Sequence, residues 1–409
     1  MTFEFDSVGR IIFGCGQFAK SGELAADLLI QHDPAAPLGE SPSHSSGVLV
    51  VYNGCRDGDG GASDKLAVQL DGRGLRPCLQ RQHGEPAVDD VERILDAARS
   101  AGCRLVIGLG GGSAIDAAKA VAGLLTNGGQ CLDYMEVVGR GQKLSRPACP
   151  WIAIPTTAGT GAEATRNAVV AYPPRKFKAS LRSHLLLPAI ALVDPELTVS
   201  APPAVTAASG MDALCQLIES YTSRNANPMT DGLAIRGIAL AGASLPTACR
   251  DGKDIAARTD MSMAALLSGI TLTNAGLGAV HGLAAPLGAN FPIPHGVVCA
   301  ALLGGVVEMN LRSLGDQSPE HPAIARYAAA ARAIGAAGPL DDDRSAADAL
   351  GPFLRRLRSE LSIPPLGSFG LGESDVASMA ELASASSSIK ANPVTLTTEQ
   401  LQQVLRQAM

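Results

Sequence analysis

Up to about residue 195 the chain alternates short apolar runs with longer stretches whose apolar positions recur at helical spacing. "GVLVVYNG" (Gly47 to Gly54), "RLVIGLGGG" (Arg104 to Gly112) and "PWIAIPTT" (Pro150 to Thr157) read as buried strands. "PAVDDVERILDAARSAG" (Pro86 to Gly102) and "SAIDAAKAVAGLL" (Ser113 to Leu125) read as helices between them. Strand and helix in alternation predict a mostly parallel sheet covered on both faces. After "ALVDPELT" (Ala191 to Thr198) β-branched runs almost vanish, and Ala and Leu at helical spacing continue to the end. The pattern predicts an α/β domain over 1–195 and an all-α domain over 196–409, with the boundary near Asp194-Pro195. Two segments rich in turn formers, His32 to Gly47 and Ala336 to Asp348, are expected to be mobile.

One run departs from ordinary surface patterning. Between Met261 and Val307 there is no Asp, Glu, Lys or Arg, yet the run holds two of the chain's seven histidines, His281 and His295. Thr271, Thr273, Asn274, His281, Asn290 and a Pro/Gly-rich loop interrupt it, and its last apolar piece, Val297 to Val307, is too short to span a bilayer. It predicts buried helix. An imidazole buried there needs a partner, because stranding one costs on the order of 1–3 kcal/mol. Upstream, "SGMDALCQLIESYTS" predicts a helix capped by Ser209. Leu214, Leu217, Ile218 and Tyr221 form one face, and Asp212, Gln216, Glu219 and Ser223 form the opposite stripe. Alone, that stripe reads as a solvated face. If the two histidines converge on one point and this helix faces them, Asp212 and Gln216 would complete a four-ligand set suited to Fe(II) or Zn(II).

Charge narrows the partners. With 33 basic and 39 acidic residues the net charge is 33 − 39 = −6, and no basic block appears, so a nucleic-acid footprint is missing. A small-molecule ligand is expected. Nine scattered cysteines with no C-x-x-C pair suit a reducing cytoplasm rather than a disulfide framework or a cysteine-based zinc site. The start, "MTFEFDSVGR", has no signal-peptide order, and neither membrane nor secretion is expected.

Two clusters of small residues follow predicted strands. In "VIGLGGGSAIDAAKA", Gly110, Gly111 and Gly112 lead into Ser113 and a helix, which lets backbone N–H groups approach a phosphate at a helix N-terminus. Ser113 is expected to cap that helix, with Asp116 three residues on as in a capping box. The spacing matches neither a generic dinucleotide fingerprint nor a P-loop, so a plain strand-to-helix turn stays open. In "IPTTAGTGAEAT", Thr156, Thr157 and Thr160 lie where open α/β sheets bind ligands.

These motifs, with "IIFGCGQ", "ALVDPELT", "GMDALCQLIESY", "GLGAVHGLAAPLGANFPIPHG" and "ANPVTLTTEQLQQVL", resemble the iron-containing (group III) alcohol dehydrogenase family over nearly the whole chain. The resemblance implies a Rossmann-like dinucleotide-binding domain followed by a helical metal and substrate domain, the architecture shared with dehydroquinate synthase. It implies that Gly110, Gly111, Gly112 and Ser113 hold the cofactor pyrophosphate, with Asp116, Thr156, Thr157, Thr160 and Lys178 beside it. It implies catalysis by a metal on Asp212, His281, His295 and the residue at Gln216, where the family usually has His. Ala285 likewise replaces a common His, and with Leu283 and Phe291 it implies a roomy, apolar pocket. Asn53 stands where NAD-preferring relatives tend to carry Asp, so either NAD or NADP is expected. The implied activity is NAD(P)-dependent interconversion of an alcohol and its aldehyde or ketone, in a cytoplasmic homodimer. The alternatives are a metal-independent reductase of the maleylacetate reductase type, an NAD-using sugar-phosphate lyase, and a nucleotide-binding protein without catalysis.

Overall fold

The computed structural model of the protein describes residues 2–32, 46–54 and 60–409. The chain forms two compact units. One comprises Ser7–Thr157 and Ala162–Thr198; the other comprises Met1–Asp6, Ala158–Gly161 and Val199–Met409.

The first unit carries strands β1 (Arg10–Phe13), β2 (Gly47–Tyr52), β3 (Arg76–Arg81), β4 (Cys103–Gly110), β5 (Trp151–Pro155), β6 (Asn167–Tyr172), β7 (Phe177–Arg182) and β8 (Ile190–Val193). Its helices are α1 (Ser21–Gln31), α2 (Ala62–Asp71), α3 (Val88–Ser100), α4 (Gly112–Asn127) and the single turn α5 (Cys131–Tyr134). Six strands make an all-parallel sheet in the order β1-β8-β5-β4-β2-β3, and β6 and β7 pair as a separate antiparallel hairpin. Both faces of the sheet are covered, which is why β2 is apolar at every position. Leu49 and Val51 pack with Val91, Ile94 and Ile115 on the α3/α4 side. Val48 and Val50 pack with Leu24, Leu66 and Leu70 on the α1/α2 side.

Strands β1, β3, β6 and β7 are not evident in the hydrophobic pattern. β3, "RPCLQR", is an edge strand with mostly polar exposed positions, and an edge tolerates Pro77 because one side needs no donor. The hairpin is held to α4 by a buried charge. Lys119 Nζ donates to the carbonyls of Ala162 (2.9 Å) and Asn167 (2.8 Å) and to Thr165 Oγ1 (2.6 Å), and it pairs with Asp116 at 3.4 Å. Asp116 in turn accepts from the Val169 N–H of β6 at 3.2 Å.

The second unit is helical: α6 (Pro203–Thr222), α7 (Pro228–Arg250), α8 (Ile255–Ala275), α9 (Ala279–Asn290), α10 (His295–Gln317), α11 (Pro322–Ile334), α12 (Asp343–Glu360), α13 (Glu373–Ser384) and α14 (Thr398–Ala408). α6 starts at Pro203, six residues before the expected cap. Ser209 lies inside it and returns its hydroxyl to the Val205 carbonyl at 2.7 Å. The polar stripe is not solvated: Asp212, Gln216, Glu219 and Ser223 are all buried. A 102° bend separates α8 from α9.

The Val297 to Val307 piece is part of a longer helix. α10 has 23 residues, and α7 also has 23; both are long and apolar enough to cross a membrane. In α10, 89% of the apolar window is buried within the protein, so its apolar surface already serves as core. Of the two segments expected to be mobile, His32 to Gly47 lies largely outside the described residues. In the other, Asp342 caps α12 by accepting from the Arg344 and Ser345 N–H groups, each at 3.0 Å.

Replacing Lys119 with Met would strand four acceptors around a buried point. Lys119→Met is expected to lower unfolding stability by roughly 3–5 kcal/mol in denaturant titration, and an unchanged midpoint would contradict the tie. A pH effect follows from neighbouring Glu163, whose carboxyl burial pushes from 4.5 up to about 7. A raised folded-state value means the native protein holds a proton that the unfolded chain has lost. Stability should therefore fall as pH rises from about 4.5 to about 7, by on the order of 1–3 kcal/mol relative to Glu163→Gln. Denaturation curves of the two proteins across that window check it.

Candidate functional site

In the α/β unit the glycine turn sits at the carboxyl end of β4, between the ends of β2 and β5. Gly110 has φ +153°, and a Cβ there would lie 2.2 Å from Asn53 Oδ1, so a side chain cannot be accommodated. Asn53 Oδ1 accepts the Gly111 N–H at 2.8 Å, and the Asn53 N–H donates to the Leu109 carbonyl at 3.2 Å. Asn53 thus braces the turn from the neighbouring strand. The N-cap of α4 is Gly111 rather than Ser113, and no side chain caps the helix. The first-turn N–H groups of Gly112 and Ser113 therefore have no intrahelical acceptor, which is the arrangement that binds an anion.

The other expected cofactor residues have varied surroundings. The Thr156 N–H donates to the Gly110 carbonyl at 2.9 Å, and Thr157 Oγ1 would lie 3.3 Å from a Cβ on Gly111, so both border the turn. Asp116 faces Lys119 and Val169, the capping-box role passing instead to structural bracing. Lys178, on β7, forms an ion pair with Glu85. Thr160 belongs to Ala158–Gly161, the short segment of the helical unit where Gly159 abuts Ser209 and Gly161 abuts Gly269.

In the helical unit the two histidines and Asp212 converge. His281 lies in the first turn of α9, and His295 opens α10. Gly296 seats that turn directly on α6: a Cβ at Gly296 would be 2.2 Å from the Ala208 carbonyl oxygen. Asp212 Oδ1 is 3.4 Å from His281 Nε2 and 3.6 Å from His295 Nε2. These separations are long for a charge-assisted hydrogen bond, and Asp212 Oδ1 is buried with no hydrogen-bond partner. A buried carboxylate oxygen aimed at two imidazole nitrogens is the signature of donors arranged around a common cation.

Glu219 fixes the geometry. Its Oε2 lies 2.6 Å from His281 Nδ1, and its Oε1 accepts the Val280 N–H at 2.7 Å. One carboxylate thereby holds the N-terminus of α9 and puts the proton of a neutral His281 on Nδ1, leaving the Nε2 lone pair toward Asp212. The Ala279 N–H next to it donates to Asn392 Oδ1 at 3.1 Å. Sequence pattern puts Glu219 in the polar stripe but gives neither it nor Asn392 this role, since the partnership joins residues far apart in the chain.

Gln216 is turned differently. Its Nε2 donates to Asp212 Oδ2 at 3.1 Å, and its Oε1 accepts from Ser268 Oγ at 2.7 Å. An ionised carboxylate only accepts, so the amide nitrogen must be the end that faces Asp212. Another side chain with a donor atom stands closer to the cluster. Asp212, His281, His295 and Cys299 each offer an atom within 4.8 Å of the others, and Cys299 Sγ is 3.7 Å from His281 Nε2 and 3.6 Å from His295 Nε2. Cys299 stands four residues after His295 on α10, one turn along the same face; the absence of a C-x-x-C pair hides it. The eight described cysteines are free thiols.

The local field favours positive charge. Cys299 and Asp212 together raise His295 to about 9 against the effect of burial. Burial also opposes a charged Asp212, but His295 and His281 outweigh it and hold the carboxyl below its usual value. Of the expected pocket residues, Ala285 is exposed, Phe291 is half-buried, and Leu283 is packed into the helical core.

Both halves of the chain match models of one family: "Iron-containing alcohol dehydrogenase" over residues 9–195 and "Fe-containing alcohol dehydrogenase family, C-terminal" over 206–409. Among curated proteins, alcohol dehydrogenase 4 of Saccharomyces cerevisiae (strain YJM789) is 38% identical over 349 residues, 85% of this chain and 87% of its own. The solved structure of a 1,3-propanediol oxidoreductase superposes with TM-score 0.89 at 30% identity, covering 100% of both chains. A sulfoacetaldehyde reductase from Bifidobacterium kashiwanohense, solved in complex with NAD+, gives TM-score 0.83 at 26% identity over 100% of this chain and 99% of that one. With a glycine turn ending β4 and an Asp-His-His cluster on α6, α9 and α10, the chain belongs to the iron-containing alcohol dehydrogenase family.

Proposed function

We propose that the protein is an NAD(P)-dependent alcohol dehydrogenase that interconverts a small alcohol and its aldehyde or ketone with the help of a divalent metal. The observation that carries the metal-dependent form of this reading is the unpartnered, buried Oδ1 of Asp212 beside two imidazole Nε2 atoms. It favours this reading over the metal-independent reductase, for which no such convergence would be required.

When bound, the dinucleotide accepts the hydride, and the metal acts as a Lewis acid on the substrate oxygen. The chain's own residues prepare for both. Gly112 and Ser113 present N–H groups to the pyrophosphate, and Asn53 keeps the turn in shape through the Gly111 N–H. Asp212, His281 and His295 hold the metal, with Asp212 contributing a negative charge and two neutral imidazoles contributing none. Glu219 orients His281, so its Nε2 is presented without a reorganisation cost. Iron is the family's habitual metal; the donor set accommodates Fe(II) and Zn(II) alike.

Purified protein given NAD+ or NADP+ and a panel of small primary and secondary alcohols, with Fe(II) or Zn(II), is expected to produce reduced cofactor. Asp212→Ala should lower kcat/KM by more than about 100-fold, because it leaves two imidazoles without their anionic partner. Absence of turnover with every alcohol, and of the reverse reaction with every aldehyde, would refute the reading.

Cofactor choice rests on Asn53, at the end of β2 beside the glycine turn. A neutral residue there does not repel a ribose 2′-phosphate, so both cofactors are used. Asn53→Asp should keep the acceptor for the Gly111 N–H while lowering kcat/KM for NADP+ relative to NAD+ by about tenfold or more. Steady-state kinetics with both cofactors reads this directly, and an unchanged ratio would remove Asn53 from cofactor selection.

A further inference from the structure

We propose that Cys299 is a ligand to the metal, its thiolate completing a site with Asp212, His281 and His295 while Gln216 stays outside the coordination sphere. The proposal rests on the metal-dependent reading above and adds to it the identity of the fourth donor.

Three observations carry it. The first is distance. Around a tetrahedral ion with ordinary bond lengths, two N or O ligand atoms lie about 3.3 Å apart, and a sulfur and a nitrogen lie about 3.6 Å apart. The measured edges are 3.4 and 3.6 Å from Asp212 Oδ1 to the two imidazole Nε2 atoms. They are 3.7 and 3.6 Å from Cys299 Sγ to the same two nitrogens. All four match an ion shared by these atoms.

The second is the state of the competing donor. Both ends of the Gln216 amide are occupied, the nitrogen by Asp212 Oδ2 and the oxygen by Ser268 Oγ. To ligate, the amide would have to flip, exchanging the bond that its nitrogen donates to Asp212 Oδ2 for an oxygen set against that carboxylate. The third is the unpartnered Asp212 Oδ1, which needs a cation at the point that Cys299 also faces.

A second thiol nearby does not serve. Cys215 Sγ is 3.9 Å from His281 Nδ1, the ring nitrogen already engaged by Glu219, and it groups with Glu219 and His281 rather than with the four donor atoms around Asp212 Oδ1. On binding, the Cys299 S–H bond breaks, a sulfur-to-metal bond forms and the proton leaves to solvent, with no change of oxidation state. A thiolate among the donors makes the site softer than an all-nitrogen-and-oxygen set, so zinc should compete better against Fe(II) than it would in that set.

The test is to strip the full-length protein with a chelator, add Co(II), and record the absorption spectrum with metal stoichiometry. Wild type is expected to take up one Co(II) per chain and show the near-ultraviolet sulfur-to-cobalt charge-transfer band. Cys215→Ser and Gln216→Ala should keep that band. Cys299→Ser should lose it, bind Zn(II) on the order of 10–100-fold more weakly, and retain less zinc against Fe(II) in competition. Circular dichroism checks that each variant is folded, and the wild-type spectrum alone decides whether sulfur is bound. Co(II) uptake without a charge-transfer band, or a band that survives Cys299→Ser, would overturn the thiolate assignment while leaving the metal-dependent reading intact. Absence of Co(II) uptake by wild type would overturn both.

Discussion

The Glu219 carboxylate is the contact on which the helical unit's chemistry depends. α9 begins after a 102° bend from α8, so its first N–H groups need acceptors that the helix itself cannot provide. Glu219 supplies one to Val280 with Oε1 and engages His281 Nδ1 with Oε2. A buried carboxylate would be costly alone; here both oxygens are bonded, and the same bonds point His281 Nε2 at Asp212. Fold and site are therefore the same construction at this point. Losing Glu219 would release a helix terminus and the His281 ring together.

The α/β unit solves a parallel problem with neutral groups. β4 must end abruptly for α4 to start, and the turn leaves N–H groups that the sheet does not use. Asn53 takes one of them, and the next two, of Gly112 and Ser113, have no acceptor within the helix. The buried Lys119 then ties α4 to the β6/β7 hairpin through three acceptors besides Asp116. The helix that presents the anion-binding turn is thus anchored farther along its length by a bonded charge.

Much of this was legible in the residues. The buried strands β2, β4 and β5 are long apolar runs, and the helical half announces itself by periodicity. The edge strand β3 and the hairpin do not, because half-exposed strands carry too little apolar contrast. The charge-free run placed His281 in a buried setting, whereas His295, at the start of α10, is only half-buried. The stripe on α6 misled, since Asp212, Gln216 and Glu219 look like a solvated face until the helices that cover them are known. Glu219, Asn392 and Cys299 could be found only in three dimensions, because each acts on a residue from another element or through a neighbour one helical turn away. Gln216 illustrates the converse. Its position in the family pattern suggests a ligand, while its amide bonds Asp212 Oδ2 and Ser268 Oγ.

The central claim is that a metal gathered by Asp212, His281 and His295 is required for hydride transfer. Titrating chelator-treated protein with Fe(II) or Zn(II), while following both bound metal per chain and the rate of alcohol-dependent NAD(P)+ reduction, tests it most directly. Activity should rise in proportion to bound metal and level off at one ion per chain. Full turnover by protein shown to be metal-free would contradict the account.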